Sequence, residues 1–263
     1  MDALNALYVD FPRYLVVLMR VASFLFALPI FGPGVPALAK LGLAGGITLI
    51  LAPAVAGTAI PEELGRFAAL AVEEVAVGLA LGLAVTTILS AVHLAGQLID
   101  IPIGFGMVNV IDPQTGMQVP VVAQFKFALS MLVLFTVNGH HALLAALGQS
   151  LVVLPPGFAA LRPEAAGVGV DAFGAMFLLA ARISLPIVAA LFIADVVLGI
   201  VARAVPQINV FFVGIPLKIG VGVLLMILVL PVFVAQVAVS FGASGEMADF
   251  LARMLRALRP PVP

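Results

Sequence analysis

The sequence predicts an all-α protein that crosses a membrane several times, with helical hairpins kinked or broken by glycine and proline. Of its 263 residues, 63% are hydrophobic and only 10% are charged. A soluble domain is about 45–50% apolar and about 25% charged. A water-facing globule cannot hide so much apolar sequence, so lipid must cover part of its surface. We therefore predict an integral membrane protein.

Six apolar stretches support this prediction, because a helix needs about 20 apolar residues to cross a bilayer. None of them alternates between polar and apolar residues as the strands of a membrane barrel do, so helices are the expected spanning form. The stretches are 14–31, 41–60, 67–99, 127–154, 172–201 and 219–245. An even number of crossings places both termini on the same side of the membrane. That side carries slightly more positively charged residues than the other, which predicts that both termini lie in the cytoplasm.

Glycine and proline recur throughout these stretches. Pro29, Pro53, Pro186 and Pro231 lie inside or at the edge of them, where each is expected to kink or break a helix. The spacing of Gly42 with Gly46, and of Gly78 with Gly82, is typical of helices that approach one another closely.

The C-terminal tail has apolar residues at helical spacing, with its arginines on another face. These residues predict an amphipathic surface helix or partner-binding helix, and a solvated tail is the alternative. The apolar residues are Met247, Phe250, Leu251, Met254, Leu255 and Leu258.

Catalytic and cofactor motifs are not convincing. The sequence GASG at 242–245 matches that of an intramembrane serine protease, but every histidine precedes it, where that family's base follows. His140 and His141 are adjacent and have no nearby acid to complete a zinc site. There is no phosphate-binding loop, no cysteine, and a net charge of −1. We predict no enzyme, no cofactor, no metal and no nucleic-acid partner.

Five ionisable residues lie inside apolar stretches, where each costs about 2.5–3.5 kcal/mol at the bilayer centre. They must face protein or water. We expect an arginine to pair with Glu73 or Glu74, and Asp195 to pair with Arg182 or Arg203. Buried pairs that fix helix register are favoured over an ion or proton relay. The five residues are Arg20, Glu73, Glu74, Arg182 and Asp195.

The segment 100–124 joins two apolar stretches and is itself mostly apolar. Its glycines and prolines forbid one continuous helix, so we predict non-helical backbone at membrane depth. Such backbone is tolerated only where it is buried in protein or lines a water-filled path. We predict an apolar plug that closes a pore, with an ordinary surface loop as the alternative. The predicted plug consists of Gly104, Phe105, Gly106, Met107, Val108, Asn109, Val110, Ile111, Asp112 and Pro113.

Several short sequences, in this order and spacing, resemble the FliR family of flagellar biosynthetic proteins, which belong to the type III secretion export gate. They run through almost the whole chain: PIFG at 29–32, GFG at 104–106, DPQ at 112–114, NGHH at 138–141, PQINVF at 206–211 and GIPLKIG at 214–220.

The resemblance implies a subunit of an export gate in the bacterial inner membrane, at the flagellar basal body. Such proteins assemble with FliP-like and FliQ-like subunits into a channel for unfolded flagellar proteins. It implies a FliP-like part at 1–170, a FliQ-like part at 171–245 and a cytoplasmic tail at 246–263 that meets an FlhB-like switch protein. It places the channel plug in the segment around 104–118. The implied subunit contacts are Pro206, Gln207, Asn209, Phe211 and Lys218.

Two alternatives remain from the sequence. A homologue in a virulence injectisome would share most of these features. A secondary transporter would use broken helices and midplane charges around a small-molecule site, with the neighbourhood of Asp195 and Arg182 as its best support.

Overall fold

The computed structural model describes residues 2–32, 34–55, 58, 60–61, 63–105, 120–159, 163–207, 209–242 and 245–259. Their regular secondary structure is helical, and these residues form no strand, so the all-α prediction is confirmed. The α-helices that they form are α1 (Asp2–Ala27), α2 (Ala37–Leu51), α3 (Leu64–Ile103), α4 (Val121–Thr136), α5 (Gly139–Val153), α6 (Pro163–Ala204), α7 (Val210–Phe241) and α8 (Glu246–Ala257).

The polytopic membrane class is confirmed, although six separate crossings were too many. Four helices in the described part of the chain are long and apolar enough to cross a membrane, and five if α4 and α5 count as one bent span. Two of them, α3 and α6, have 40 and 42 residues. α1 is not among them, because Asp10, Arg13 and Arg20 lie in the part that would have to cross.

The bend between α4 and α5 falls within the predicted stretch 127–154 and measures 70°. It occurs at Asn138, whose φ of 56° places it in the left-handed region. Asparagine tolerates this conformation better than most residues, which explains why the chain turns here without a glycine at that position.

Prolines affect the helices less than the sequence suggested. Pro53 lies in a short 3-10 turn, Ala52–Val55, that follows α2. Pro186 and Pro231 lie inside α6 and α7, which continue through them, so these prolines do not break their helices, and a kink at either position stays a prediction. Other backbone or packing contacts in a long apolar helix can offset the one hydrogen bond that proline removes.

The predicted non-helical segment 100–124 is helical at both ends. α3 continues to Ile103 and α4 begins at Val121. Gly104 follows the last residue of α3 and has a φ of +97°. This positive φ ends the helix, and glycine suits the position because a residue with a side chain would be strained there.

The chain forms two compact units. The first contains Met1–Thr87, Asn138–Phe173 and Phe241–Pro263, and the second contains Ile88–Val137 and Gly174–Ser240. The division at residues 170 and 245 that the family resemblance implies remains a prediction.

The C-terminal helix α8 belongs to the first unit and packs against α5. Its apolar residues, from Met247 to Leu258, are buried there. The prediction of an amphipathic helix is confirmed, and its apolar face is covered by this chain itself, so the alternative of a solvated tail was wrong. Arg253, Arg256 and Arg259 remain exposed on the opposite side.

Candidate functional site

A buried ion pair joins α1 to α3 inside the first unit. Arg20 and Glu74 both have fully buried side chains. Arg20 Nε donates to Glu74 Oε2 at 2.6 Å, and a second guanidinium nitrogen, Nη2, donates to Oε1 at 2.8 Å. This two-point geometry is the strongest form of arginine–carboxylate contact. The sequence analysis left open whether Glu73 or Glu74 pairs with an arginine, and in the structure the pair is formed by Glu74.

The remaining side of the guanidinium binds the end of α5. Arg20 Nη1 donates to the carbonyl oxygens of Ser150, at 3.0 Å, and Leu154, at 2.9 Å. The last carbonyls of a helix have no partner within it, and a cation there is favoured by the helix dipole. Arg20 therefore connects three helices that lie far apart in the sequence.

Glu73 has a different environment from its neighbour. Its Oε1 accepts the backbone N–H of Ala159 at 2.5 Å. The side chain lines a cavity of about 850 Å³ with mostly apolar walls, among them Leu70 and Leu151. Adjacent residues on a helix point about 100° apart, so the two acids serve separate partners.

Close helix contact accompanies the ion pair. A side chain on Gly78 would collide with the Arg20 carbonyl and the Ser23 hydroxyl, and one on Gly82 would collide with Ala27. The predicted close approach is confirmed for these two glycines. Within the described part of the chain, no atom lies within 4 Å of the position of a side chain on Gly42 or Gly46, so these glycines pack against none of the described elements.

Asp195 pairs with a residue that the sequence analysis assigned to another role. Lys218 Nζ lies 2.6 Å from Asp195 Oδ1 and joins α7 to α6. The expected pairing with Arg182 or Arg203 was wrong, because all three residues lie on α6. Positions eight or more residues apart on one helix are separated by about 12 Å or more along its axis. The Asp195–Arg182 pair on which the secondary-transporter alternative rested is therefore replaced by a pair between α6 and α7.

The other predicted subunit contacts lie in the turn between α6 and α7 and at the start of α7. Pro206, Gln207 and Asn209 are exposed. The carbonyl of Asn209 accepts the backbone N–H of Phe212 at 3.1 Å and so starts α7. Phe211 lies in the first turn of this helix.

Only the beginning of the predicted plug is described. Phe105 packs against a cluster of buried residues in the second unit, and residues 106–113 lie outside the described part of the chain. The cluster draws on α3, α4 and α6 and consists of Ile99, Ile103, Val122, Ile187 and Leu191.

Two buried charges were missed as site residues. Asp100, 5% exposed, accepts the backbone N–H groups of Val122 at 2.9 Å and Ala123 at 3.1 Å. Lys126, 4% exposed, lies over the ring of Phe233 with its ammonium 4.3 Å from the ring centre. Both border the segment that was predicted to be a loop, so neither was counted among the charges of the spans.

These features define a class: a polytopic membrane protein in whose described part the buried charges are paired, hold helix ends or lie over an aromatic ring, and whose long apolar helices α6 and α7 are largely exposed. Comparison with known sequences gives the family. Residues 11–244 match the family described as bacterial export proteins, family 1. The chain belongs to this family, the FliR family of flagellar biosynthetic proteins, as the sequence resemblance predicted.

Named relatives cover nearly the same length. The chain is 37% identical to flagellar biosynthetic protein FliR of Bacillus subtilis (strain 168), over 95% of this chain and 98% of the relative. It is 32% identical to the FliR of Escherichia coli (strain K12), over 83% and 84%. It is 29% identical to the FliR of Aquifex aeolicus (strain VF5), over 81% and 83%. The chain is thus a membrane protein of bacterial export and flagellum biogenesis.

Proposed function

We propose that this chain is a non-enzymatic subunit of the flagellar type III protein export gate in the bacterial inner membrane. With FliP-like and FliQ-like subunits it forms the channel through which unfolded flagellar proteins leave the cytoplasm. Its C-terminal arginine face meets an FlhB-like switch protein. The observation that carries the proposal is the exposed apolar length of α6.

α6 has 42 residues and is therefore about 63 Å long at 1.5 Å per residue. The hydrocarbon core of a bilayer is about 30 Å thick, and helices tilt by at most about 40°. Large apolar side chains are exposed from Val170 to Val201, about 46 Å apart along the helix axis. Even at a tilt of about 40° this exposed apolar stretch is longer than the hydrocarbon core, so lipid does not cover all of it. Neighbouring protein subunits are the covering that an assembled gate provides.

The turn between α6 and α7 supports the same proposal. Its polar residues, Gln207 and Asn209, are exposed beside the apolar Phe212, which is 74% exposed. A polar and apolar surface of this kind is typical of a contact between subunits. We propose that Pro206, Gln207, Asn209 and Phe211 contact a neighbouring subunit, and that Lys218 is held there by Asp195.

The sealing element in this proposal is the predicted plug, Gly104–Pro113. Its root is apolar and packed, because Phe105 contacts the buried cluster of α3, α4 and α6. An apolar constriction blocks ions by excluding water, which needs neither a nucleotide nor a metal. An energised substrate then displaces the plug from the channel.

The seal is tested by replacing residues 105–111 with a glycine–serine segment of the same length. In the native assembly we expect a large rise in ion leak across the membrane, because the apolar barrier is lost. The measurement is ion flux into vesicles or cells that contain an intact, correctly incorporated complex. Phe105→Leu keeps an apolar side chain and is expected to stay tight. A tight membrane with the replaced segment would contradict the proposed seal.

A further inference from the structure

The exposed apolar face of α6 carries a charged residue, Arg182. The opposite side of the helix, with Ile187 and Leu191, is buried in the second unit. Arg182 lies on the outward side and is exposed. At 3.6 residues per turn it shares this face with apolar side chains above and below it. They are Leu178, Leu185, Ile193 and Ile200, each at least 54% exposed.

Arg182 has no polar partner among the described residues. No acid in that part of the chain lies within ion-pair distance of its guanidinium, and no described oxygen accepts a hydrogen bond from it. Other charges within the apolar helices are matched, Arg20 by Glu74 and Asp195 by Lys218. The described part of the chain thus leaves the guanidinium of Arg182 without the counterpart that these charges have.

Lipid alone is an unsuitable environment for this face. Exposed apolar side chains extend along the axis about 18 Å from Arg182 to Val170 and about 28 Å to Val201. If lipid surrounds Arg182, the guanidinium is left in hydrocarbon, where ionisable residues pair with protein groups or face water. If lipid lies only toward Val201, the exposed apolar side chains on the other side of Arg182 are outside it and need a protein cover. Both arrangements place a neighbouring protein beside Arg182.

We propose that Arg182 binds a carboxylate on an apolar helix of a neighbouring subunit, an inference that rests on the function proposed above. The planar fork of a guanidinium can donate to both oxygens of a carboxylate, and Arg20 does so with Glu74 inside this chain. The apolar side chains above and below Arg182 pack against the rest of the same partner helix. An ion pair within an otherwise apolar contact fixes the height at which the two helices meet.

Substitution of Arg182 in cells that assemble the native complex tests the contact. The measurement is the fraction of the membrane-inserted chain that co-purifies with the other export subunits in mild detergent. We expect Arg182→Leu to lower this fraction about tenfold, because the partner carboxylate is left buried without its counterpart. Arg182→Lys keeps the charge but not the fork and should lower it less. An unchanged or higher fraction with Arg182→Leu would overturn the proposal, since lipid or water would then surround the residue.

Arg66→Leu is the matched control for this measurement. It makes the same change at an arginine whose side chain is 78% exposed and whose ion pair lies within α3 and the residue before it. We expect it to leave the co-purifying fraction unchanged, because exposed pairs contribute little.

Reversal of charge identifies the partner. Arg182→Glu should lower the co-purifying fraction at least as far as Arg182→Leu, because two carboxylates would face each other. Single replacements of Asp or Glu by Arg in the apolar helices of the co-purifying subunits are then combined with it, and one of them should restore the fraction. The same replacement is made at Glu62 and Asp112 of this chain, which lie outside the described part. Restoration by either of these, or by no replacement at all, would refute a contact between subunits.

The native chain separates this inference from the function on which it rests. If it co-purifies with no other export subunit, the proposed gate function fails, and the inference fails with it. If it does co-purify and Arg182→Leu co-purifies equally well, the inference alone is wrong.

Discussion

Replacing Arg20 with alanine is expected to destabilise the first unit by about 3–5 kcal/mol, among the largest effects of any single substitution in this chain. The substitution leaves the carboxylate of Glu74 fully buried without its partner. It also leaves the carbonyls of Ser150 and Leu154 without their donor at the end of α5. We expect little chain in the membrane, and a lower midpoint of thermal unfolding for any assembly that forms.

Two further variants separate geometry from charge. Arg20→Lys keeps the charge but lacks the planar fork, so it cannot serve both carboxylate oxygens and both carbonyls. We expect a stability between those of the alanine variant and the native chain. Arg66→Ala is the matched control, because the Arg66–Glu63 pair is exposed and is expected to be worth less than about 1 kcal/mol. An Arg20→Ala chain as stable as the control would mean that the buried pair contributes nothing.

Replacing Gly78 with alanine is expected to destabilise the same region by about 1–3 kcal/mol, although alanine is the better helix former. The added methyl group would collide with the Arg20 carbonyl, so α1 and α3 must separate. Glu74 lies one turn from Gly78 on the same face, and separation draws it away from the guanidinium. Thermal unfolding of the native assembly and the amount of incorporated chain measure the effect.

Gly65→Ala is the control on the same helix. The nearest atom to its side-chain position, Glu63 Oε1, is 4.0 Å away, so this substitution should be neutral or slightly stabilising. The double variant Arg20→Ala with Gly78→Ala should lose less stability than the sum of the two, because both disrupt one contact. Additive losses would show that the glycine contact and the ion pair are independent.

The charges show how far sequence reasoning extends. The cost of burying a charge in an apolar helix was enough to predict that Glu73 or Glu74 pairs with an arginine, but not that the arginine is Arg20. It was not enough to choose between Glu73 and Glu74, since only the rotation of α3 decides which of two adjacent residues faces α1. For Asp195, nearness in sequence favoured arginines on the same helix. Those arginines lie too far from Asp195 along the helix axis. The turn between α6 and α7 reverses the chain, so that Lys218 of α7 reaches Asp195 instead.

The spans show a second limit. Composition and hydropathy were sufficient for the membrane class, because they depend on the sum over many residues. They were not sufficient for the number of crossings, since hydropathy does not register the 70° bend at Asn138, and the predicted stretch 14–31 began after Asp10 and Arg13, which lie in α1. Asp100 escaped notice for a related reason. Its hydrogen bonds are made to the start of a helix 21 residues later, and no local sequence pattern predicts that contact.

Photo-cross-linking along α6 most directly tests whether this chain is one subunit of a larger gate. Benzoylphenylalanine would be placed singly at Phe177, Ile193 and Ile200, each more than 60% exposed, in cells that assemble the native complex. A matched probe at the buried Leu191 should react only within the chain. We expect cross-links to other export subunits from at least one exposed position, because the helix is too long for lipid alone to cover. Cross-links to no other protein from any of them would contradict the account.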